Sequence, residues 1–218
     1  MGSGVGNGVE DRDRETLVRI CDPAGRLRGT GFVADDRGTV VTGHEVVAGL
    51  TGAVLYGAAG RSCCAGSGAV TALPELGLAL IRSEDLGVAP LPVAVRDTVD
   101  TGTYVRVAAL GWRAARVLGE TTVTYPADGR CHRPAALELA LGTQGSDALR
   151  PGGGAAGGPV VDASTGAVLA VLGTTFLGER PVAGLAVPLR GAALAPLLRR
   201  NAATVPGYGR DLNLAAVL

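Results

Sequence analysis

His44 is one of only two histidines in 218 residues. It stands in a long, patterned context, Gly38-Thr39-Val40-Val41-Thr42-Gly43-His44-Glu45-Val46-Val47. An imidazole titrates near neutrality, so one held at the end of a strand can serve as a general base. A second stretch offers a different chemistry: Gly152-Gly153-Gly154-Ala155-Ala156-Gly157-Gly158-Pro159-Val160-Val161-Asp162. Its small residues allow a tight turn in which backbone N–H groups converge on one acceptor. A base and a cup of N–H donors are two of the four parts that acyl transfer needs. The other two are a nucleophilic hydroxyl and an orienting carboxylate. No metal is expected. Cys63 and Cys64 are adjacent, and with Cys21 and Cys131 they form no zinc spacing and no C-x-x-C. His132 in Gly129-Arg130-Cys131-His132-Arg133 has no second histidine or carboxylate beside it and reads as a turn residue. No cofactor is implied.

The elements that must position these groups are short and β-like. Runs such as Leu17 to Cys21, Thr39 to Thr42, Leu78 to Arg82, Tyr104 to Leu110, Ala135 to Leu141 and Ala167 to Leu172 are rich in Val and Leu. Gly, Pro, Asp and Ser turns separate them, as in Asp35-Asp36-Arg37-Gly38. About a dozen strands at this spacing predict an all-β fold of barrels or a sandwich. Two helices are expected: one turn after His44, and Arg190 to Arg200, where Leu194, Leu197 and Leu198 keep helical spacing. Leu91 to Val95 also reads as a strand, within a Pro-containing stretch from Val88 to Asp100 that could join two halves.

Composition narrows the function classes. Hydrophobic residues make up 47% of the chain, enough for a substantial core. The formal net charge is zero, which gives no electrostatic case for nucleic acid. No apolar run suggests a membrane span. Residues 1–15 are Gly-rich and then charged, read as disordered or tag-like, without the apolar centre of a signal peptide. The cysteines lack the pattern of a secreted disulfide framework. A reducing, cytoplasmic setting is therefore expected. All the basic residues are arginine, with much Ala, Gly and Val, the codon preference of GC-rich bacteria. Residues 201–218 read as a tail or a linker to a further domain or regulatory partner.

Three segments together carry a resemblance. The first is Gly29-Thr30-Gly31-Phe32-Val33-Ala34 followed by the His44 block. The second is Gly77-Leu78-Ala79-Leu80-Ile81. The third is the Gly152–Asp162 stretch, with Gly166 to Gly173 and Gly184-Leu185-Ala186-Val187-Pro188 behind it. In this order they resemble the trypsin-like serine proteases, and in particular the bacterial branch of the Deg/HtrA protease domain. That branch writes Gly-x-Gly-Phe, a turn, Val-(Val/Leu)-Thr, two residues, the catalytic His, and Val-Val. Here only Gly43 separates Thr42 from His44, and Glu45 precedes Val46.

The resemblance implies two six-stranded antiparallel barrels over residues 16–200, about 16–87 and 100–188, with the cleft between them and a helix at 190–200. It implies a general base at His44 and a nucleophile at position 156, where Ala156 replaces the serine of Gly-Asp-Ser-Gly-Gly-Pro. Gly77 occupies the aspartate position of Asp-(Leu/Ile)-Ala-Leu-(Leu/Ile). Oxyanion donors would be the N–H groups of Gly154 and Ala156. A peptide or protein substrate would add along Val171, Leu172, Gly173 and Thr174, with Arg150 near the first specificity pocket. Glu75 would lie two residues before Gly77 on the same face. Without a hydroxyl at 156 no acyl-enzyme can form there, a loss of about a millionfold in turnover for such sites. Two histories fit: an endopeptidase domain disabled at its nucleophile, or a natural pseudoprotease that binds peptide or protein.

Overall fold

A computed structural model describes residues 16–109, 111–142, 149, 154–178 and 184–205. The N-terminal half holds strands β1 (Val18–Cys21), β2 (Leu27–Val33), β3 (Thr39–Gly43), β4 (Gly52–Tyr56), β5 (Ser62–Gly66), β6 (Val70–Leu73) and β7 (Leu78–Arg82). A single helical turn, α1 (His44–Val47), follows β3. The C-terminal half holds β8 (Tyr104–Ala108), β9 (Trp112–Thr122), β10 (Tyr125–Ala127), β11 (Arg130–His132), β12 (Ala135–Leu141), β13 (Pro159–Asp162), β14 (Val168–Gly173) and β15 (Gly184–Pro188). Helix α2 (Ala195–Thr204) comes last.

The first half forms one antiparallel sheet in the order β5-β4-β1-β2-β3-β7-β6. The second closes into a barrel, β12-β15-β14-β13-β8-β9, with β10 and β11 as a separate hairpin. The expected all-β, two-barrel fold is the one adopted, with one difference of detail. The N-terminal sheet has seven strands rather than six. The added strand β5, Ser-Cys-Cys-Ala-Gly, pairs fully with β4 although it lacks an apolar alternation. Backbone bonds place it, and its small side chains Cys63 and Ala65 pack on the N-terminal core.

Three apolar clusters explain the arrangement. One fills the closed barrel, with Val105, Leu137, Leu139, Val160 and Leu172 among its members. A second fills the N-terminal half around Ile20, Val40, Leu55 and Ile81. The third lies between the halves and joins Phe32, Val41 and Leu78 to Tyr125, Val171, Phe176 and Leu194. Strand β3 is buried along its whole length because it serves two of them. Val40 faces one and Val41 the other, as the two-residue period of a strand requires.

Two expectations differ at the joint between the halves. Leu91 to Val95 holds only an isolated bridge, Val93 to Val168. Pro90 and Pro92 have no N–H to give a ladder there. The C-terminal helix begins at Ala195 after a 3-10 turn over Ala192–Leu194, and it runs on to Thr204. Asn201 accounts for the extension. It is buried, its Nδ2 donates to the carbonyls of Ala34 and Leu91, and its Oδ1 accepts from the Val93 N–H. Beside it, the Arg200 Nε donates at 2.8 Å to Asp35, whose carboxylate also takes the N–H and hydroxyl of Thr39.

Candidate functional site

Strand β3 ends at Gly43, and its ladder with β7 carries on into a bond from the His44 N–H to the Gly77 carbonyl, 2.9 Å. The two motif positions are thereby set side by side. His44 is buried, at 3% exposure. Its Nδ1 lies 2.7 Å from the hydroxyl of Tyr125, on the hairpin of the other half. The two rings meet edge to face at 5.8 Å, and Tyr125 meets Phe176 in the same way at 5.2 Å. Burial holds the imidazole below its usual value, while the carboxylates of Asp128, Glu75 and Glu45 pull the other way. Burial also pushes the Tyr125 phenol up, so it stays protonated and able to share a proton with Nδ1. The imidazole borders a cavity of about 270 Å³ with Val47, Leu50, Ser67, Val70 and Asp128. None of residues 154–158 borders it.

Gly77 closes a 3-10 turn in the left-handed region, at φ +65°. The place of a side chain there is taken: a Cβ built on Gly77 would lie 2.8 and 2.9 Å from two atoms of the Phe176 ring. The side-chain space at Gly77, the expected aspartate position, is therefore taken by an aromatic from another element. Glu75 is exposed in the same turn, and its charge acts on His44.

The turn at Ala156 is built from backbone. The Thr30 N–H donates to the Ala156 carbonyl at 2.8 Å, and the Gly157 N–H donates to the Leu172 carbonyl at 2.9 Å. The Gly158 N–H donates to Ala155, and the Leu172 N–H donates to the Gly158 carbonyl. Gly157 has φ +78°, and a Cβ on it would sit 2.1 Å from the Thr42 hydroxyl oxygen and 2.3 Å from the Thr30 carbonyl. Only glycine fits such a contact. Gly154 is likewise left-handed, at φ +77°. Ala155 and Ala156 are both buried.

Along the expected peptide edge, Val171 pairs with Pro159 and Val187, and Gly173 pairs with Leu185. Leu172 is engaged by Gly157 and Gly158. The first residue past these pairings is Thr174, and its N–H and hydroxyl both donate to the Glu45 carboxylate, at 2.6 and 2.8 Å. Arg150 lies outside the described residues. Among the described residues no cluster of His, Cys, Asp and Glu could hold a metal ion.

Sequence reasoning missed Tyr125, Phe176 and the contact of Glu45. Tyr125 and Phe176 are two of six Phe and Tyr residues in the chain. That scarcity was the available signal, since an aromatic in so aromatic-poor a core is a large packing commitment.

Comparison with known proteins follows the same lines. The sequence matches the trypsin-like peptidase domain over residues 29–171. No curated protein matches it. The structure is similar to that of the Rv3671c protease from M. tuberculosis in its active form, at 22% identity and a TM-score of 0.62, over 93% of this chain and 88% of that one. An inactive, serine-to-alanine mutant form of Rv3671c compares at 23% identity and 0.61, over 93% and 94%. The HtrA-type protease AlgW, solved with a tripeptide, compares at 16% identity and 0.59, over 88% and 61%. At these identities the likeness is one of fold.

Proposed function

We propose that this chain, which belongs to the trypsin-like peptidase family, is a pseudoprotease whose cleft binds a peptide or protein segment without cleaving it. The observation that carries this reading is the Phe176 ring packed into the side-chain space of Gly77. A bench substitution at position 156 would leave the aspartate site as a working enzyme has it. Here that site is instead part of an aromatic row, Phe176 to Tyr125 to His44. Such a row involves three separate elements, so it belongs to the chain's own packing.

The chemistry agrees. Ala156 has no hydroxyl to attack a carbonyl, and His44 has no carboxylate at Gly77 to orient it. A peptide carbonyl would take the N–H groups of Gly154 and Ala156, since those of Gly157 and Gly158 are donated within the fold. AlgW, solved with a tripeptide, supplies the ligand class by analogy.

The competing reading is a disabled Ser–His endopeptidase, and one experiment separates the two. The Ala156→Ser variant is treated with a fluorophosphonate probe, with His44→Ala added as control. The pseudoprotease reading expects no His44-dependent labelling. Labelling that His44→Ala abolishes would establish the disabled enzyme instead.

A further inference from the structure

We propose that the base position of the cleft is occupied by Glu45, not by His44, and that its carboxylate has become a strut between the two halves of the molecule. This rests on the pseudoprotease reading and carries it to the third position of the triad. The motif itself gives the register. Its spacing is Thr, two residues, the base, Val-Val, and here Thr42 is followed by Gly43 and His44, then Glu45, then Val46-Val47. No insertion is needed if Glu45 is the residue at the base position.

Geometry supports the ungapped register. The Val46 methyl and the Ala156 carbonyl oxygen both crowd the point where a Cβ on Gly29 would sit, at 2.7 and 2.4 Å. A Cβ on Gly43 would lie 3.5 Å from Gly157. Gly43 at the end of β3 and Val46 of α1 thus both lie beside the Ala156 turn. His44 and Glu45 take different partners in the C-terminal half. His44 turns to the Tyr125 hairpin and to the cavity that excludes residues 154–158. Glu45 turns to Thr174, two residues beyond the Leu172 that clasps Gly157 and Gly158. Leu172 of β14 therefore holds the Ala156 turn, and Thr174 at the exit of the same strand holds the carboxylate.

A carboxylate so placed accepts two hydrogen bonds where a triad would carry an imidazole. It ties α1 of the N-terminal half to the end of β14 in the C-terminal half. Each of the three positions then holds a residue of the wrong type: Glu45, Gly77 and Ala156.

A thiol at position 156 reports which side chain stands beside it. Ala156→Cys is prepared with isotope-labelled cysteine, and the pKa of the new thiol is followed by NMR in the full chain. Spectra of the parent protein identify Cys21, Cys63, Cys64 and Cys131. A neighbouring carboxylate raises a thiol pKa, and a neighbouring imidazolium lowers it. Adding Glu45→Gln is expected to lower the thiol pKa. Adding Glu45→His is expected to lower it by more than about one pH unit, roughly a tenfold gain in thiolate at neutral pH. Adding His44→Gln is expected to leave it in place, and the same spectra show whether each variant is folded.

A thiol that follows His44, or one that neither change moves, overturns the proposal. Neither result touches the pseudoprotease reading, whose failure appears separately as fluorophosphonate labelling of Ala156→Ser.

Discussion

Positions 156 and 77, where the family motif leads one to expect serine and aspartate, hold Ala156 and Gly77, and the molecule treats them in opposite ways. Around Ala156 the frame is intact, because it consists of backbone bonds: Thr30 to Ala156, Gly157 to Leu172, and Leu172 to Gly158. Around Gly77 the frame consists of side chains, with the Phe176 ring in the side-chain space and the Tyr125 hydroxyl on His44. A site made of main chain survives the loss of one side chain unchanged. A site made of side-chain volume is refilled, since a void in a close-packed interior is costly.

The strongest way to break the contrast is to disturb the frame at 156 itself. Gly157→Ala places a methyl against Thr42 and the Thr30 carbonyl at a left-handed φ. We expect a loss of more than about 4 kcal/mol in denaturant unfolding, or no soluble folded protein. Next is the refilled position. Gly77→Asp must displace the Phe176 ring and hold a left-handed φ, at a cost of about 2 to 3 kcal/mol. Adding Phe176→Ala should recover less than the ring itself contributed, because Tyr125 then loses its edge contact.

A smaller effect is expected at Tyr125→Phe, which leaves the buried His44 Nδ1 without its partner and costs about 1 to 2 kcal/mol. His44 also links stability to pH. Burial lowers its folded-state pKa, so the unfolded chain takes up the proton first as pH falls. Stability due to His44 is present above its unfolded value of about 6.5 and declines as pH drops from there through the folded pKa. Unfolding midpoints between pH 8 and pH 5 should show that slope, and His44→Gln should flatten it. The smallest effect belongs to Ala156→Ser, where a hydroxyl enters an intact frame at a change of less than about 1 kcal/mol.

The same division marks what the sequence made legible. The turn at Ala156 could be read from Gly152 to Asp162 because tight backbone geometry demands glycine, and glycine is visible in a sequence. The strands could be read because their Val and Leu runs alternate between two cores, as Val40 and Val41 do. Strand β5 was illegible because it brings only small side chains, Cys63 and Ala65, to the core. The partner of His44 was illegible for another reason. Tyr125 lies 81 residues away and reaches His44 only through packing between the halves. The Glu45 strut spans 129 residues to Thr174. Adjacent letters hid it, since the eye takes the histidine and passes over the glutamate beside it.

The central claim is the Phe176 ring in the side-chain space of Gly77, and the most direct test places aspartate and serine at positions 77 and 156 together. Gly77→Asp with Ala156→Ser is measured for fluorophosphonate labelling and for unfolding in urea. The account predicts no labelling and a protein less stable than the parent by about 2 to 3 kcal/mol. A double variant that is as stable as the parent and labels at the new serine would contradict it.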